Sequence, residues 1–156
     1  MDSIEIVNLI EEPQYINEVS EWIWKEWEEG HGAKLEDSIY RTKHSMNKDD
    51  IPQMYIAKLK NEVVGVVSLW RNDLKARQDL FPWMAALFVK EKYRNRGIGK
   101  MLQKISIEQA KKLNYEYLYL ITEHNNYYEK TGWEYLETAP LDNGKYTKIY
   151  RYNLKK

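Results

Sequence analysis

Apolar positions recur along the chain with two different periods, and the change from one to the other divides it. In residues 14–29, Ile16, Val19, Ile23 and Trp27 fall on one stripe of a 3.6-residue helix, preceded by Pro13 and closed by Gly30, His31 and Gly32. Residues 35–46 predict a second helix with Leu35, Ile39 and Met46 inward, and Pro52 ends this half. Ahead of both, residues 3–8 alternate enough for an edge strand. The period then becomes two. Residues 54–59 and 62–70 predict strands joined by a hairpin turn at Lys60 and Asn61, and residues 72–79 form a polar loop. Residues 81–89, Phe-Pro-Trp-Met-Ala-Ala-Leu-Phe-Val, are a near-continuous apolar run suited to a central strand covered on both faces. Pro82 stands at its entry, where a missing N–H costs least. Residues 97–113 return to the helical period, with Ile98, Met101, Leu102, Ile105, Gln109 and Leu113 on or beside one face. Residues 117–122 predict a strand, 125–131 a short helix, and 133–137 and 145–153 the closing strands. The order βααβββαβαββ has no repeat, linker or low-complexity segment, so it predicts one mixed α/β or α+β domain.

Composition narrows the chemistry. A chain of 156 residues can hide roughly 70% of its unfolded surface and needs no staple. The absence of cysteine removes disulfides and thiol nucleophiles, and with them redox and cysteine catalysis. Lys and Arg number 24 against 24 Asp and Glu, which argues against an electrostatically driven nucleic-acid binder. No apolar run approaches the roughly 20 residues that span a bilayer, and acids stand near the N-terminus where a signal peptide would have a basic region. A soluble cytoplasmic protein with no membrane partner is expected. The neutral total hides an asymmetry. Residues 11–37 hold nine acids and two bases, whereas residues 90–112 hold eight bases and only Glu91 and Glu108.

The chemistry concentrates where the central strand gives way to the third helix. Arg94-Asn95-Arg96-Gly97-Ile98-Gly99-Lys100 places two glycines and three cations at a helix start, whose first N–H groups lack intrahelical partners and whose dipole is positive. Such a turn is suited to an anion, and a pyrophosphate fits its charge and donors. A P-loop is excluded because Met101 follows Lys100 and no glycine lies five positions before Gly99. A Rossmann fingerprint is excluded because Leu102 occupies its third glycine position. What remains is R-x-x-G-x-G between a long apolar strand and a helix.

In that motif the sequence resembles the GNAT N-acetyltransferase superfamily, whose signature turn is Q/R-x-x-G-x-G/A after the fourth strand. Tyr128-Glu129-Lys130-Thr131-Gly132-Trp133 is similar to a second family segment, Y-E-K-x-G-F/W, and the element order also resembles the family's. The resemblance implies a single GNAT-like domain over residues 1–156, with a mixed, mostly antiparallel central sheet flanked by helices. It further implies that acetyl-CoA lies where the central strand and its successor splay apart. There the pantetheine would pair with backbone groups of Leu87, Phe88 and Val89, and the pyrophosphate would rest on Arg94, Asn95, Arg96, Gly97, Ile98, Gly99 and Lys100. The resemblance also implies that Asn125 would be a further contact to the cofactor.

Acetyl transfer to an amine needs a polarised carbonyl, an acid for the leaving thiolate and an outlet for the amine's proton. A backbone N–H near residues 87–89 can serve the first need. Tyr128 aligns with the family's acid, and a phenol of pKa about 10 is matched to a thiolate. Glu123, His124, Asp79 and a water chain all stand open as the base. The family places its acceptor against the first two helices, here Trp-Ile-Trp-Lys-Glu-Trp-Glu-Glu-Gly-His-Gly over residues 22–32. Trp24, Glu28, Glu29 and His31 there can offer an amine aromatic faces and carboxylates, while Trp27 is expected in the core. The scattered histidines give no metal cluster. Two functions stand open: an N-acetyltransferase acting on a small-molecule or peptide amine, and a non-catalytic acyl-CoA-binding or interaction module on the same fold. The resemblance also leaves room for a homodimer through the late strands.

Overall fold

A computed structural model describes residues 3–155. Seven strands, β1 (Ile4–Asn8), β2 (Gln53–Leu59), β3 (Glu62–Trp70), β4 (Trp83–Val89), β5 (Tyr117–Thr122), β6 (Glu134–Pro140) and β7 (Tyr146–Asn153), form one sheet in the order β1-β2-β3-β4-β5-β7-β6. Every neighbouring pair is antiparallel except β4 and β5. The strands predicted over 62–70 and 117–122 are found over those ranges, and β1 lies at an edge as its alternation implies. Helix α1 (Ile16–Ile23) covers one face with Val19 and Ile23 against Met54, Ile56 and Val66. Helix α3 (Ile98–Lys112) covers the other with Ile98, Leu102 and Ala110 against Tyr55, Val64 and Val67. Gly65 sets the distance between α3 and the sheet. A Cβ there would stand 3.1 Å from Leu102 Cδ1 and 3.2 Å from the Phe88 carbonyl, so the one glycine in a valine-rich strand is needed for close approach.

Several predicted features are corrected. The helix expected over residues 14–29 keeps α geometry only through Ile23; Trp24–Glu28 is a π-turn, and a 3-10 turn, Glu29–His31, ends at Gly32 with φ 83°. A π-turn spends more residues per turn than an α-helix and rotates everything after it. Trp27, expected in the core, is therefore 43% exposed, while Trp22 lies half-buried with its ring 5.5 Å from Phe88. Helix α2 (Leu35–Lys43) ends before Met46, which packs against the cluster of Val19 and Ile23, while Leu35 and Ile39 are only half-buried. Its buried face is Ser38 and Thr42, and Ser38 donates to the Ser20 carbonyl at 2.8 Å, so small hydroxyl residues let the two helices touch. Met101 is exposed on α3, where Gln103 and Ser106 are buried instead. The helix expected over 125–131 shrinks to one 3-10 turn, Tyr128–Thr131, because Asn126 takes φ 57° and interrupts the run.

Candidate active site

The central strand is bent open. Val66 pairs with Phe88 and Ser68 with Ala85, so two steps along β3 match three along β4, and Ala86 and Leu87 together oppose Val67. This is a β-bulge, and Ala86 accommodates it at φ 50°, a conformation that costs a residue with a Cβ about 1 kcal/mol or more. On the opposite side of β4, Trp83 with Tyr119 is the one ladder pair to β5 among the described residues, reinforced by the Tyr119 N–H donating to the Pro82 carbonyl at 3.0 Å. Beyond it β5 turns to β7 alone. Residues 84–89 thus have β3 on one side and a gap on the other, with Leu87, Phe88 and Val89 at its open end.

The chain leaves that end through the turn expected to hold an anion. Asn95 at φ 65° and Gly97 at φ 81° fold the backbone back. The helical bonding of α3 begins with the Met101 N–H donating to the Gly97 carbonyl at 3.1 Å, so the N–H groups of Ile98, Gly99 and Lys100 have no intrahelical partner, and no side chain caps them. A Cβ at Gly97 or Gly99 would meet nothing within 4 Å, so open space lies in front of these donors. The side chain of Ile98 is 2% exposed and belongs to the core, so only its backbone serves the turn. Arg94 does not stand free: its Nε donates to the Val89 carbonyl at 2.8 Å and its guanidinium lies 5.5 Å from the Phe88 ring centre, bracing the strand end to the turn. Arg96 lies over Tyr93 at 5.4 Å, and the Tyr93 hydroxyl donates to Glu62 at 2.7 Å. Donors, dipole, cations and space fit a pyrophosphate.

Tyr128 borders the α3-side cluster that also takes Leu87 and Val89. Its ring is half-buried among Tyr127 at 4.8 Å, Trp133 at 6.0 Å and Tyr150 at 6.2 Å, and no described residue hydrogen-bonds its hydroxyl. Burial, with a smaller contribution from Tyr127, pushes its phenol up to about 12. Glu123, His124 and Asn125 are exposed on the same β5–β6 connection. The His124 N–H donates to Thr122 Oγ1 at 3.0 Å, its ring lies 5.7 Å from Tyr127, and Asn125 Oδ1 accepts from Lys148 Nζ. Asp79 is clamped by Arg77 through two bonds of 2.9 Å, which hold its carboxyl below the usual range and commit it to that pair.

On the α1 side, a cleft of about 580 Å³ opens between the first helices, the β3–β4 loop and the β6–β7 loop, with Glu28, Arg41, Trp70, Asp73 and Asp142 in its walls. Glu28 pairs with Arg41 at 2.6 Å, and the Arg41 guanidinium lies 4.6 Å above Trp70. Of the four residues expected to meet an acceptor, Glu28 lines this cleft. Trp24 instead ties its helix to the following loop by donating to the Ala33 carbonyl at 2.6 Å, and Glu29 and His31 are exposed in the 3-10 turn. The sequence reading missed Asp73. Asp73 is half-buried, no described residue hydrogen-bonds its carboxylate, and desolvation in the cleft, helped by Glu28 and opposed by Arg41, pushes it up to about 7. Its only signal was an acid three residues past a strand that ends at Trp70, in a loop that reads as solvated.

Known proteins share this fold. An aminoglycoside 6'-N-acetyltransferase complexed with coenzyme A matches with a TM-score of 0.75 at 17% identity, over 96% of this chain and 97% of that one. An aminoglycoside 6'-acetyltransferase type Ii matches at 0.73 and 18%, again over 96% and 97%. An acetyltransferase of the GNAT family from Staphylococcus aureus Mu50 matches at 0.71 and 22%, over 97% and 99%. No curated protein matches the sequence. A family model described as acetyltransferase (GNAT) family matches residues 16–133. With the sheet, the splay and the turn all in agreement with that match, the chain belongs to the acetyltransferase (GNAT) family.

Proposed function

We propose that this protein is an acetyl-CoA-dependent N-acetyltransferase that acts on a primary amine. The observation that carries the reading is the continuous path from the bulged, half-unpaired β4 to the uncapped N-terminus of α3. Acetyl-CoA supplies the activated acetyl group as a thioester. Backbone groups of Leu87, Phe88 and Val89 hold the pantetheine arm, the N–H groups at Ile98, Gly99 and Lys100 hold the pyrophosphate, and an N–H at the bulge polarises the carbonyl. The amine attacks that carbonyl, the new C–N bond forms as the C–S bond breaks, and the Tyr128 hydroxyl gives its proton to the departing sulfur. Burial, which pushes the phenol up to about 12, keeps that proton in place through the neutral range but carries the group above the value of about 10 that matches a thiolate, so the proton moves only as the C–S bond breaks and full negative charge builds on sulfur. Glu123 and His124, exposed on the same connection, pass the amine's proton to solvent, and Asn125 completes the cofactor's contacts.

The test has two readouts. Acetyl-CoA at a hundred times its Kd should stabilise the fold by about 2.7 kcal/mol and raise the melting temperature. Thiol release over a panel of amines should then identify acceptors. A melting temperature indifferent to acetyl-CoA overturns the cofactor assignment. Binding without thiol release on any amine identifies a non-catalytic acyl-CoA-binding module instead.

A further inference from the structure

We infer that Asp73 is an ammonium-binding subsite, which holds a second cationic group of the acceptor far from the amine being acetylated. The inference rests on the proposed amine acetylation, and three observations carry it. First, the cleft's other acids are matched: Glu28 pairs with Arg41 at 2.6 Å and Asp142 with Lys75 at 3.4 Å, while Arg71 lies over the Phe81 ring at 5.2 Å. Arg41 attracts Asp73 across the cleft but makes its ion pair elsewhere, so Asp73 is the carboxylate left without a salt bridge or hydrogen bond among the described residues that line the cleft. Second, the wall beside it is Trp70, an aromatic ring held under the Arg41 guanidinium at 4.6 Å, which shields one side of the carboxylate from water. Third, cleft and bulge share one face of the sheet, because Trp70, Ala86 and Phe88 all pack against the α1-side cluster.

Strand geometry gives the length of the molecule that would bridge them. Trp70 pairs with Trp83, and the bulge at Ala86 and Leu87 lies three to four residues farther along β4. At about 3.3 Å per residue the subsite is roughly 10–13 Å from the bulge. An acceptor that reaches both carries two amines about that far apart, as a long linear polyamine or a multi-ring aminoglycoside does and a short diamine does not. Burial raises the proton affinity of Asp73, and an incoming ammonium lowers it again, so binding should release a proton near neutral pH. The charged groups facing Asp73 are Glu28 and Arg41 from the helical side, Arg71 and Lys75 from its own loop and Asp142 from the β6–β7 loop; His44, whose Nδ1 lies 2.8 Å from the Tyr40 carbonyl, also lines the cleft.

Steady-state thiol release with spermine, kanamycin, putrescine and a simple monoamine, on the wild type and Asp73→Asn between about pH 6 and pH 8, tests this. KM for spermine or kanamycin should rise roughly tenfold or more in Asp73→Asn, with kcat and the monoamine KM within about twofold. A rise for only one of the two polycations supports the subsite and names its source. The wild-type KM for the responsive polycation should fall as pH rises through the neutral range, Asp73→Asn should abolish that dependence, and His44→Gln should retain it. Equal loss for the monoamine, or an unchanged polycation KM, overturns the subsite. Calorimetric binding of spermine and kanamycin without donor separates the two failures. If no amine is acetylated, weaker binding of either polycation to Asp73→Asn still supports the subsite while the enzymatic reading falls, and unchanged or undetectable binding overturns the subsite.

Discussion

Tyr128 and Asp73 are both pushed upward by burial, and the same cause has opposite consequences. For the tyrosine, a pKa of about 12 means the acid form persists through the range in which an amine reacts. Tyr128→Phe should lower kcat about a hundredfold with little change in KM for acetyl-CoA, and the wild-type rate should show no inflection from this group below about pH 11. For Asp73, the folded value of about 7 lies above the 3.8 ordinary for an aspartate in water, so between the two the native state keeps a proton that the unfolded chain has released. Stability therefore falls as pH rises through that window, and the loss is complete above it. Thermal melts at about pH 5 and pH 8 should show that slope flattened in Asp73→Asn, with the variant's melting temperature at pH 8 a few degrees above the wild type's. Residue identity made Tyr128 visible in advance, because it sits in a contiguous motif beside Gly132 and Trp133. Asp73 was invisible because its meaning comes from Glu28 and Arg41, which reach it only through the fold.

At the scale of elements, the N-terminus of α3 is the part the sequence stated best. Strand, turn and helix are adjacent in the chain, so the R-x-x-G-x-G spacing fixes their geometry locally, and the left-handed φ of Gly97 follows from it. The bulge in β4 was less legible: an apolar run of nine residues looks the same whether or not Ala86 swings to positive φ. The π-turn at Trp24–Glu28 was likewise hidden, since a helical period extrapolates straight through an inserted residue. One variant separates fold from ligand in α3. In Gly99→Glu the added Cβ meets no neighbour within 4 Å and the charge favours a helix start, so melting in the absence of ligand should be unchanged or slightly higher. The same charge faces the expected pyrophosphate, and acetyl-CoA affinity should fall at least tenfold by calorimetry. Unchanged affinity would take the pyrophosphate off this turn.

For the whole molecule, the neutral charge total resolves into pairs as well as sites. Lys90, first of the basic stretch, lies 3.1 Å from Glu62 and 3.6 Å from Glu18, and Glu28 of the acidic stretch is matched by Arg41, so part of each block is spent on joining elements. The uncapped turn is the part of the basic stretch that faces open space, and Asp73 is an acid outside both stretches with no ion pair among the described residues. The sheet likewise divides into β1–β4 and β5–β7, joined by one ladder pair. Backbone amides over residues 86–89, with no strand on one side, should exchange hydrogen faster than those at the centre of β3, and acetyl-CoA should slow them more than any in β1 or β2. Exchange at 86–89 indifferent to acetyl-CoA would mean that the arm lies elsewhere.

Among the described residues that pair is also the one backbone ladder between β4 and β5, so the two strands meet at an angle set beside it. Val89 lies six residues beyond Trp83, a lever of about 20 Å at the usual strand rise. A rotation of about 5° between the two halves moves its tip by about 1.7 Å, roughly the width of one methylene step. The breadth of the groove thus depends on the angle between β4 and β5, and a swing that admitted a bulkier acyl group would have to shear the shared core in which Leu118, Leu120 and Tyr150 pack with Val64, Val67 and Met84.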